Sequence, residues 1–215
     1  MKRFTSPNIS ISPDRNRALK ATACMLLLLT ACGEGAGERP TCEYTSDNLL
    51  SDTEFSTLMQ PMNSRAWSYS QHAGDRSFEY SATDGILTFE RVGSESWGLL
   101  AQRVDPADLG GKRVEYSAEL KLDLKEPADT HGFGYGGGLS LLAKVYNRVA
   151  LTSSLDHEPH MGVHDWKAVR IVAELPEDTD YLRVGFLHQA GGKYAVKNPS
   201  LRTVVGACEP TVTAE

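Results

Sequence analysis

The feature that most constrains the fold is a stretch of strict alternation between residues 112 and 124. Polar side chains alternate there with six apolar ones: Val114, Tyr116, Ala118, Leu120, Leu122 and Leu124. Successive side chains of a strand point to opposite faces, so a period of two indicates a strand with one buried face. A helix would scatter the same residues around its circumference. The chain therefore contains a long strand that covers a core on one side.

Further strands are predicted around this one, separated by turns rich in glycine and proline. Their ranges are 86–92, 98–104, 139–146, 166–173, 181–188 and 193–201, with an early strand near Trp67 and one short helix near 53–59. Seven or eight strands with little helix predict an all-β fold, an antiparallel β-sandwich. Because Trp166 opens a strand whose inner face needs filling, we expect its indole to lie in the core.

The first 31 residues have the composition of a secretory signal. Five basic residues stand against one acid, and an apolar run over 21–29 and small residues follow. A membrane-spanning helix needs about 20 apolar residues, roughly twice the length of this run. A cleaved signal peptide is therefore favoured over a spanning helix or a buried helix of the fold.

The residues that end this segment, Leu29-Thr30-Ala31-Cys32, resemble the lipobox of bacterial lipoproteins. The resemblance implies cleavage before Cys32, diacylation of its thiol and acylation of the new amino terminus, with palmitate as one of the chains. Each buried CH₂ contributes about 0.8 kcal/mol, so two or three chains give a stable membrane anchor. Gly33, rather than an aspartate, follows the cysteine. It favours the outer membrane, with the domain facing the periplasm or the cell surface.

The assignment of Cys32 to the lipid also predicts the roles of the other three cysteines. Cys24 leaves with the signal and Cys32 carries lipid, so Cys42 and Cys208 remain. In an oxidising compartment these two are expected to form a disulfide; two free thiols are the alternative. The layout is then a signal peptide over 1–31, a lipidated tether over 32–46, a sandwich domain over 47–208 and a tail over 209–215.

The charge of the mature chain bears on its partners. Loss of residues 1–31 removes five of 22 basic residues and one of 28 acids, which leaves a formal charge of −10. Binding to phosphate backbones depends on clustered lysine and arginine. The balance therefore argues against nucleic acid or anionic lipid as a partner.

An ordered set of short motifs over about 47–204 resembles the galactose-binding-like jelly rolls, which include many carbohydrate-binding modules. The motifs begin with Asn48-Leu49-Leu50 and Asp84-Gly85-Ile86-Leu87, continue through Trp97, 100–104, Gly111-Lys112, 139–144, Asp165-Trp166 and 175–179, and end with Val184-Gly185-Phe186, Gly191-Gly192-Lys193 and Asn198. The resemblance implies a jelly roll that binds a ligand, carbohydrate above all, without catalysis. A lipoprotein that docks a protein of the cell envelope is the alternative.

The closing strand departs from the family pattern. Many members place an aromatic residue and then an aspartate there, where the carboxylate helps to hold a structural calcium ion. This chain has Ala195-Val196-Lys197-Asn198 instead. Because Ca²⁺ prefers anionic oxygens and Lys197 adds a positive charge, the calcium site is disfavoured, and no cofactor is expected.

Aromatic side chains are the first candidates for sugar contacts, since they stack on the apolar side of a pyranose while polar groups bind its hydroxyls. The candidate ligand-binding residues are Trp67, Trp97, Tyr135 and Tyr146, with polar contacts from Asn147, Arg148 and His188. For each aromatic taken singly, packing in or at the edge of the core is the favoured role, and contact with a ligand is the alternative.

A histidine-rich segment over 156–165 is the remaining candidate for chemistry. His157, His160 and His164 could bind a divalent metal as part of a hydrolase. Pro159 and the three-residue spacing do not fit the helical His-Glu-x-x-His arrangement, so a solvated loop with no metal is the preferred interpretation. No nucleophile motif is recognisable in the chain, and the sequence predicts a protein that is not an enzyme.

Overall fold

The computed structural model describes residues 42–128, 135–154 and 161–211, and these form eleven strands. In chain order they are β1 Cys42–Tyr44, β2 Ser68–Gln71, β3 Phe78–Thr83, β4 Ile86–Arg91, β5 Gly98–Val104, β6 Arg113–Lys125, β7 Gly137–Val145, β8 Arg148–Ser154, β9 Gly162–Glu174, β10 Tyr181–His188 and β11 Gly191–Gly206. One helical turn of the 3₁₀ type covers Met62–Ser64. No helix in this part of the chain is long and apolar enough to cross a membrane.

The strands form two antiparallel sheets. One sheet has the order β3-β4-β11-β6-β9, with β1 added to β11 beyond the end of β4, and the other has the order β2-β5-β10-β7-β8. Strands that neighbour each other in a sheet are often distant in sequence, so most pairings are long-range. The predicted antiparallel β-sandwich is confirmed.

The core lies between the two sheets, and β6 supplies its centre. All six apolar residues of the alternating stretch are buried, and β6 pairs with β11 on one side and β9 on the other. The opposite sheet contributes large side chains such as Leu141 and Phe186. Tyr116 also donates a hydrogen bond from its hydroxyl to the carbonyl of Gly185 on β10, at 3.2 Å. Burial of each large apolar side chain stabilises the sandwich by about 1.5–3 kcal/mol.

The predicted strands 98–104 and 181–188 match β5 and β10, and the other five overlap observed strands with shifted ends. The prediction missed β1, a strand of three residues in the expected tether, and also β3 and β8, each of which forms one edge of its sheet. Edge strands contact one neighbour only and carry more polar residues, so their alternation is weak. The helix near 53–59 is wrong: Asp52 and Phe55 have φ of 52° and 57°, which an α-helix does not allow.

Trp166 does not lie in the core, and the prediction that placed it there is wrong. The inward residues of β9 are Val169, Ile171 and Ala173. Trp166 stands an odd number of positions before Val169, so it takes the opposite face of the sheet. It is half-buried there, with Lys197 Nζ 4.5 Å from the centre of the indole ring.

The two ends of the sandwich are joined. Cys42 and Cys208 form a disulfide with a Cα–Cα distance of 4.8 Å, as predicted, and they are 166 positions apart in sequence. Asn48 strengthens the junction: its Oδ1 accepts hydrogen bonds from the backbone N–H of Leu50 and Leu201, and its Nδ2 donates to the carbonyl of Pro199. The opening segment is thereby held against the irregular middle of β11.

Removal of the disulfide is expected to lower stability markedly. The bridge closes nearly the whole domain into a loop, and the chain-entropy model assigns such a long loop a contribution of about 3–5 kcal/mol. The double variant Cys42→Ala, Cys208→Ala should therefore unfold at clearly lower urea concentration than the native protein. A reducing agent should shift the native midpoint and leave that of the double variant unchanged. Equal midpoints for the two oxidised proteins would contradict the prediction.

Candidate functional site

The outward face of the five-stranded sheet contains a recessed row of small residues. Cross-strand pairing aligns the row over four neighbouring strands, and its members are Ser68, Ala101, Gly185 and Ser140. Ala101 is 4% exposed and Ser140 8%, although both face away from the core. Three steps between strands span about 14 Å, which is longer than one sugar ring. We call these four residues the small-residue row.

Packing beneath the row explains why Gly185 is a glycine. A Cβ atom added there would lie 2.6 Å from the carbonyl oxygen of Leu100 and 2.8 Å from the Cβ of Ala101. Real Cβ atoms do not approach other atoms this closely, so a side chain at this position would push β5 and β10 apart. The Tyr116 hydroxyl holds the same residue from the core side. The floor of the row is therefore set by the packing of the sandwich.

One flank of the row is apolar and ends in aromatic residues. The next aligned positions are Ser70, Leu99, Leu187 and Gly138. Trp97 immediately precedes β5 and is half-buried, with its ring centre 6.4 Å from that of His72. Tyr135, 46% exposed, precedes β7 at the same end of the sheet, where the backbone N–H of Gln189 bonds to the carbonyl of Gly136. Two predicted ligand contacts thus lie at the same end of this sheet.

The other flank of the row is basic. Arg103 on β5 and Arg183 on β10 are directly opposite each other, and Lys144 on β7 is directly opposite Tyr181. The guanidinium carbon of Arg103 lies 5.0 Å from the centre of the Tyr181 ring and Lys144 Nζ lies 5.2 Å from it. Such contacts orient cations without neutralising them. We call Arg103, Arg183 and Lys144 the basic cluster.

The predicted contacts Tyr146, Asn147 and Arg148 lie at the hairpin between β7 and β8. Tyr146 and Asn147 have φ of 49° and 66°, the two positive values that a type I′ turn requires. All three residues are exposed, and they stand at the end of the sheet that carries Lys144. Their place in the turn accounts for their polarity and leaves them accessible to a ligand.

Trp67 and His188 were predicted as ligand contacts, and the structure contradicts both predictions. Trp67 has no exposed surface: its ring centre lies 5.3 Å from that of Phe186, and its Nε1 donates to the carbonyl of Asp52. Its position before β2 gave no sequence signal of this burial. Both side chains point into the core, so a surface ligand cannot touch either of them.

His188 is a buried, neutral imidazole. Its Nε2 donates to the carbonyl of Gly192 at 3.0 Å, and its Nδ1 accepts from the backbone N–H of Ala190 at 3.3 Å. The rings of Phe78, Phe89 and Tyr194 surround it at centroid distances between 5.1 and 5.4 Å. Burial disfavours the charged form and lowers the pKa of His188 to about 3.

A second surface lies on the outward face of the six-stranded sheet, as a groove of about 510 Å³. Residues that line it include Thr88, Lys121, Asp123, Asp165 and Ala195. Lys121 pairs with Asp165 at 3.1 Å, so two of its charges satisfy each other. On the same face, the ammonium group of Lys197 covers Trp166 and blocks that side of the indole. This groove is therefore a weaker candidate for binding a sugar ring.

The possible metal ligands are only partly described. His157 and His160 lie outside the described residues. His164 is exposed, and its Nε2 donates to the carbonyl of Met161 at 2.9 Å. Among the described residues no group of three histidine, cysteine or acidic side chains could hold a metal ion. Asn198, compared above with a calcium ligand, donates from Nδ2 to Glu119 Oε1 at 2.6 Å.

Comparison with known proteins identifies the fold. No model of a protein family and no curated protein matches the chain. Among solved structures, a CBM4 domain, which is a carbohydrate-binding module, superposes with a TM-score of 0.53 and 12% identity over 72% of this chain and 99% of that one. The enzymatically active domain of tailspike protein 4 of bacteriophage CBA120 superposes with a TM-score of 0.51 and 11% sequence identity, over 73% of this chain and 21% of the tailspike chain.

A third structure, the CBM22-1 xylan-binding domain from Paenibacillus barcinonensis, gives a TM-score of 0.46 and 15% identity over 75% of this chain and 94% of that one. This chain spans about a fifth of the tailspike chain but nearly the whole CBM4 domain. The jelly-roll β-sandwich of carbohydrate-binding modules, which the sequence motifs imply, is confirmed as the fold.

The buried histidine predicts how stability depends on pH. In the unfolded chain an imidazole takes up a proton near pH 6.5, whereas folded His188 resists protonation until about pH 3. Its contribution is therefore complete above pH 6.5. As the pH falls from there toward 3, it is lost at up to about 1.4 kcal/mol per unit.

Urea unfolding between pH 6.5 and 5, where carboxylates titrate little, isolates this effect. The variant His188→Gln should show a flatter dependence of unfolding free energy on pH than the native protein, whatever its stability at pH 7. His164→Gln, at an exposed position, is the control and should keep the native slope. A native slope in His188→Gln would refute the assignment.

Proposed function

We propose that the domain is a non-catalytic module that binds a carbohydrate chain on the outward face of its five-stranded sheet. The observation that carries the proposal is the small-residue row, with Trp97 at one end of the face and polar, basic side chains at the other, and with the exposed Tyr135 at the same end of the sheet as Trp97. Binding sites for sugars combine apolar or aromatic walls with a few placed polar groups, and this face has both.

The dimensions and chemistry of the face suit an extended chain of sugars. A row of about 14 Å without large side chains lets a ligand lie close to the backbone of four strands. The row contains two serine hydroxyls, and the half-buried indole of Trp97 retains surface on which a pyranose could stack. The match to a CBM4 domain over nearly its whole length supports the same function.

The alternative is a lipoprotein that docks an envelope protein. The most exposed large apolar side chains are Val163, Met62, Met59 and Tyr146, and they belong to the start of β9, the segment between β1 and β2 and the hairpin between β7 and β8. Protein interfaces present contiguous apolar patches, whereas isolated exposed apolar residues are normal on any surface. The scattered distribution favours the carbohydrate over the protein partner.

We also propose that the domain is held at the outer membrane by lipid on Cys32. The nine residues 33–41 would form a short tether, which spans about 15–18 Å as a flexible coil. The pairing of Cys42 with Cys208 supports the proposal because neither of these cysteines then takes Cys32 as its partner. The carbohydrate would then be a glycan that reaches the membrane surface.

The binding site can be tested on a glycan array with the full-length chain in non-ionic detergent. Trp97→Ala should weaken binding to any glycan hit at least about tenfold, or 1.4 kcal/mol, because it removes the aromatic wall of the face. Trp166→Ala, a matched change on the other sheet, should bind as the native protein does. The opposite result would place the site in the groove of the six-stranded sheet. The absence of a binding signal on every glycan of the array would contradict the proposed carbohydrate binding.

The lipid anchor can be tested by partition of the expressed protein between detergent and aqueous phases. The native protein and Cys24→Ser should enter the detergent phase, and Cys32→Ser should not, because only Cys32 is expected to carry acyl chains. Mass spectrometry of the mature amino terminus should show the added acyl groups on Cys32. Retention of Cys32→Ser in the detergent phase would rule out this anchor.

A further inference from the structure

Within its strands, the described outward positions of the five-stranded sheet carry basic side chains and no acidic ones. Its described outward positions on β2, β5, β7, β8 and β10 are Ser68, Ser70, Leu99, Ala101, Arg103, Gly138, Ser140, Leu142, Lys144, Val149, Thr152, Tyr181, Arg183, Gly185 and Leu187. Three of these are cations and none is a carboxylate. The whole chain has 28 acidic and 22 basic residues and is net negative, whereas these outward positions carry a net positive charge.

On the six-stranded sheet, by contrast, several basic side chains are paired with acids. On its outward face, lysines and arginines alternate with acids and form ion pairs: Lys121 with Asp165, Lys197 with Glu119, Arg170 with Glu115 and Arg113 with Glu174, at 3.1 to 3.5 Å. Within the described ranges, no such pair involves Arg103, Arg183 or Lys144. Among the described residues, no acidic side chain therefore lies within ion-pair distance of the basic cluster.

The arrangement of the two arginines is unfavourable by itself. Directly opposite residues on antiparallel strands have Cβ atoms about 4.5–5.5 Å apart, and like charges at that spacing repel. The contacts with Tyr181 restrict the side chains of Arg103 and Lys144 and keep both cations beside Arg183. An anion placed between these groups would remove the repulsion, and a guanidinium fork matches a carboxylate with two parallel hydrogen bonds.

We infer that the carbohydrate recognised by this face is an acidic polysaccharide, with the carboxylate of a uronic acid residue bound between Arg103 and Arg183 and close to Lys144. This inference rests on the proposed function and specifies its ligand. Neighbouring sugars extend along the small-residue row toward Trp97. Three cations suffice for one or two carboxylates, whereas nucleic acids are bound by larger clusters of lysine and arginine.

Three uronate polymers provide the probes: polygalacturonate, alginate and hyaluronate. The full-length chain in non-ionic detergent should bind at least one of them, measured by biolayer interferometry. Methyl esterification of the carboxylates of that polymer should weaken binding at least about tenfold, since it removes the anion and keeps the sugar backbone. Binding should also weaken as sodium chloride is raised, because salt screens the attraction between exposed charges.

Variants locate the contact. The double variant Arg103→Gln, Arg183→Gln should bind the uronate polymer at least about tenfold more weakly, and Arg183→Lys should fall between it and the native protein because the charge stays and the fork is lost. Lys167→Gln, which removes an exposed lysine from β9, should bind normally. Circular dichroism should show the same folded state in all four proteins, since these side chains lie outside the core.

The possible failures are distinguishable. Binding of neutral glycans that depends on Trp97 and not on the two arginines would overturn the acidic ligand and leave the carbohydrate function standing. Equal binding of dextran sulfate and uronate polymers would overturn the selectivity for carboxylate. Absence of binding to acidic and neutral glycans alike would overturn the inference together with the proposed function.

Discussion

The packing of β6 against the five-stranded sheet is the contact on which the rest of this structure depends. The apolar side chains of β6 fill the space between the sheets, and the Tyr116 hydroxyl donates a hydrogen bond to the carbonyl of Gly185 on β10. Gly185 in turn allows β5 and β10 to lie close together, since any Cβ there would collide with Leu100 and Ala101. The shape of the outward face is thus a consequence of the core beneath it.

The two outward faces of the sandwich differ in how their charged side chains are paired. On the six-stranded sheet, acids and bases neutralise each other in pairs, as Lys121 and Asp165 do. On the five-stranded sheet, Arg103 and Arg183 are directly opposite each other, and among the described residues neither forms an ion pair. A fold that tolerates this repulsion keeps a site prepared for an anionic ligand, and the proposed acidic polysaccharide would supply the missing charge.

The jelly roll supports many ligands because its ligand contacts lie on a sheet face and its stability lies in the core. At 12% identity the CBM4 domain shares the architecture but need not share the residues of the face. The identity of the ligand must therefore be sought in residues such as Trp97 and Arg183, and the fold alone does not define it. The disulfide between Cys42 and Cys208 joins the first strand of the sandwich to the segment after its last strand, next to the proposed tether.

The sequence alone predicted the long strand and the two-sheet class of the fold from local periodicity, and the disulfide from the two cysteines that remain once Cys24 and Cys32 are assigned elsewhere; the structure confirms these three. The lipid anchor, which rests on a short motif, stays a prediction. The sequence predicted the wrong environment, core or surface, for Trp67, Trp166 and His188, and it missed β1, β3 and β8. Whether an aromatic residue near a strand end faces core or solvent depends on the parity of its position relative to residues buried by another sheet, as for Trp166 and Val169. The pairing of Arg103 with Arg183, 80 positions away in the chain, arises only when β5 and β10 come into register. Only the tertiary structure decides this, since cross-strand neighbours carry no signature in the order of the chain.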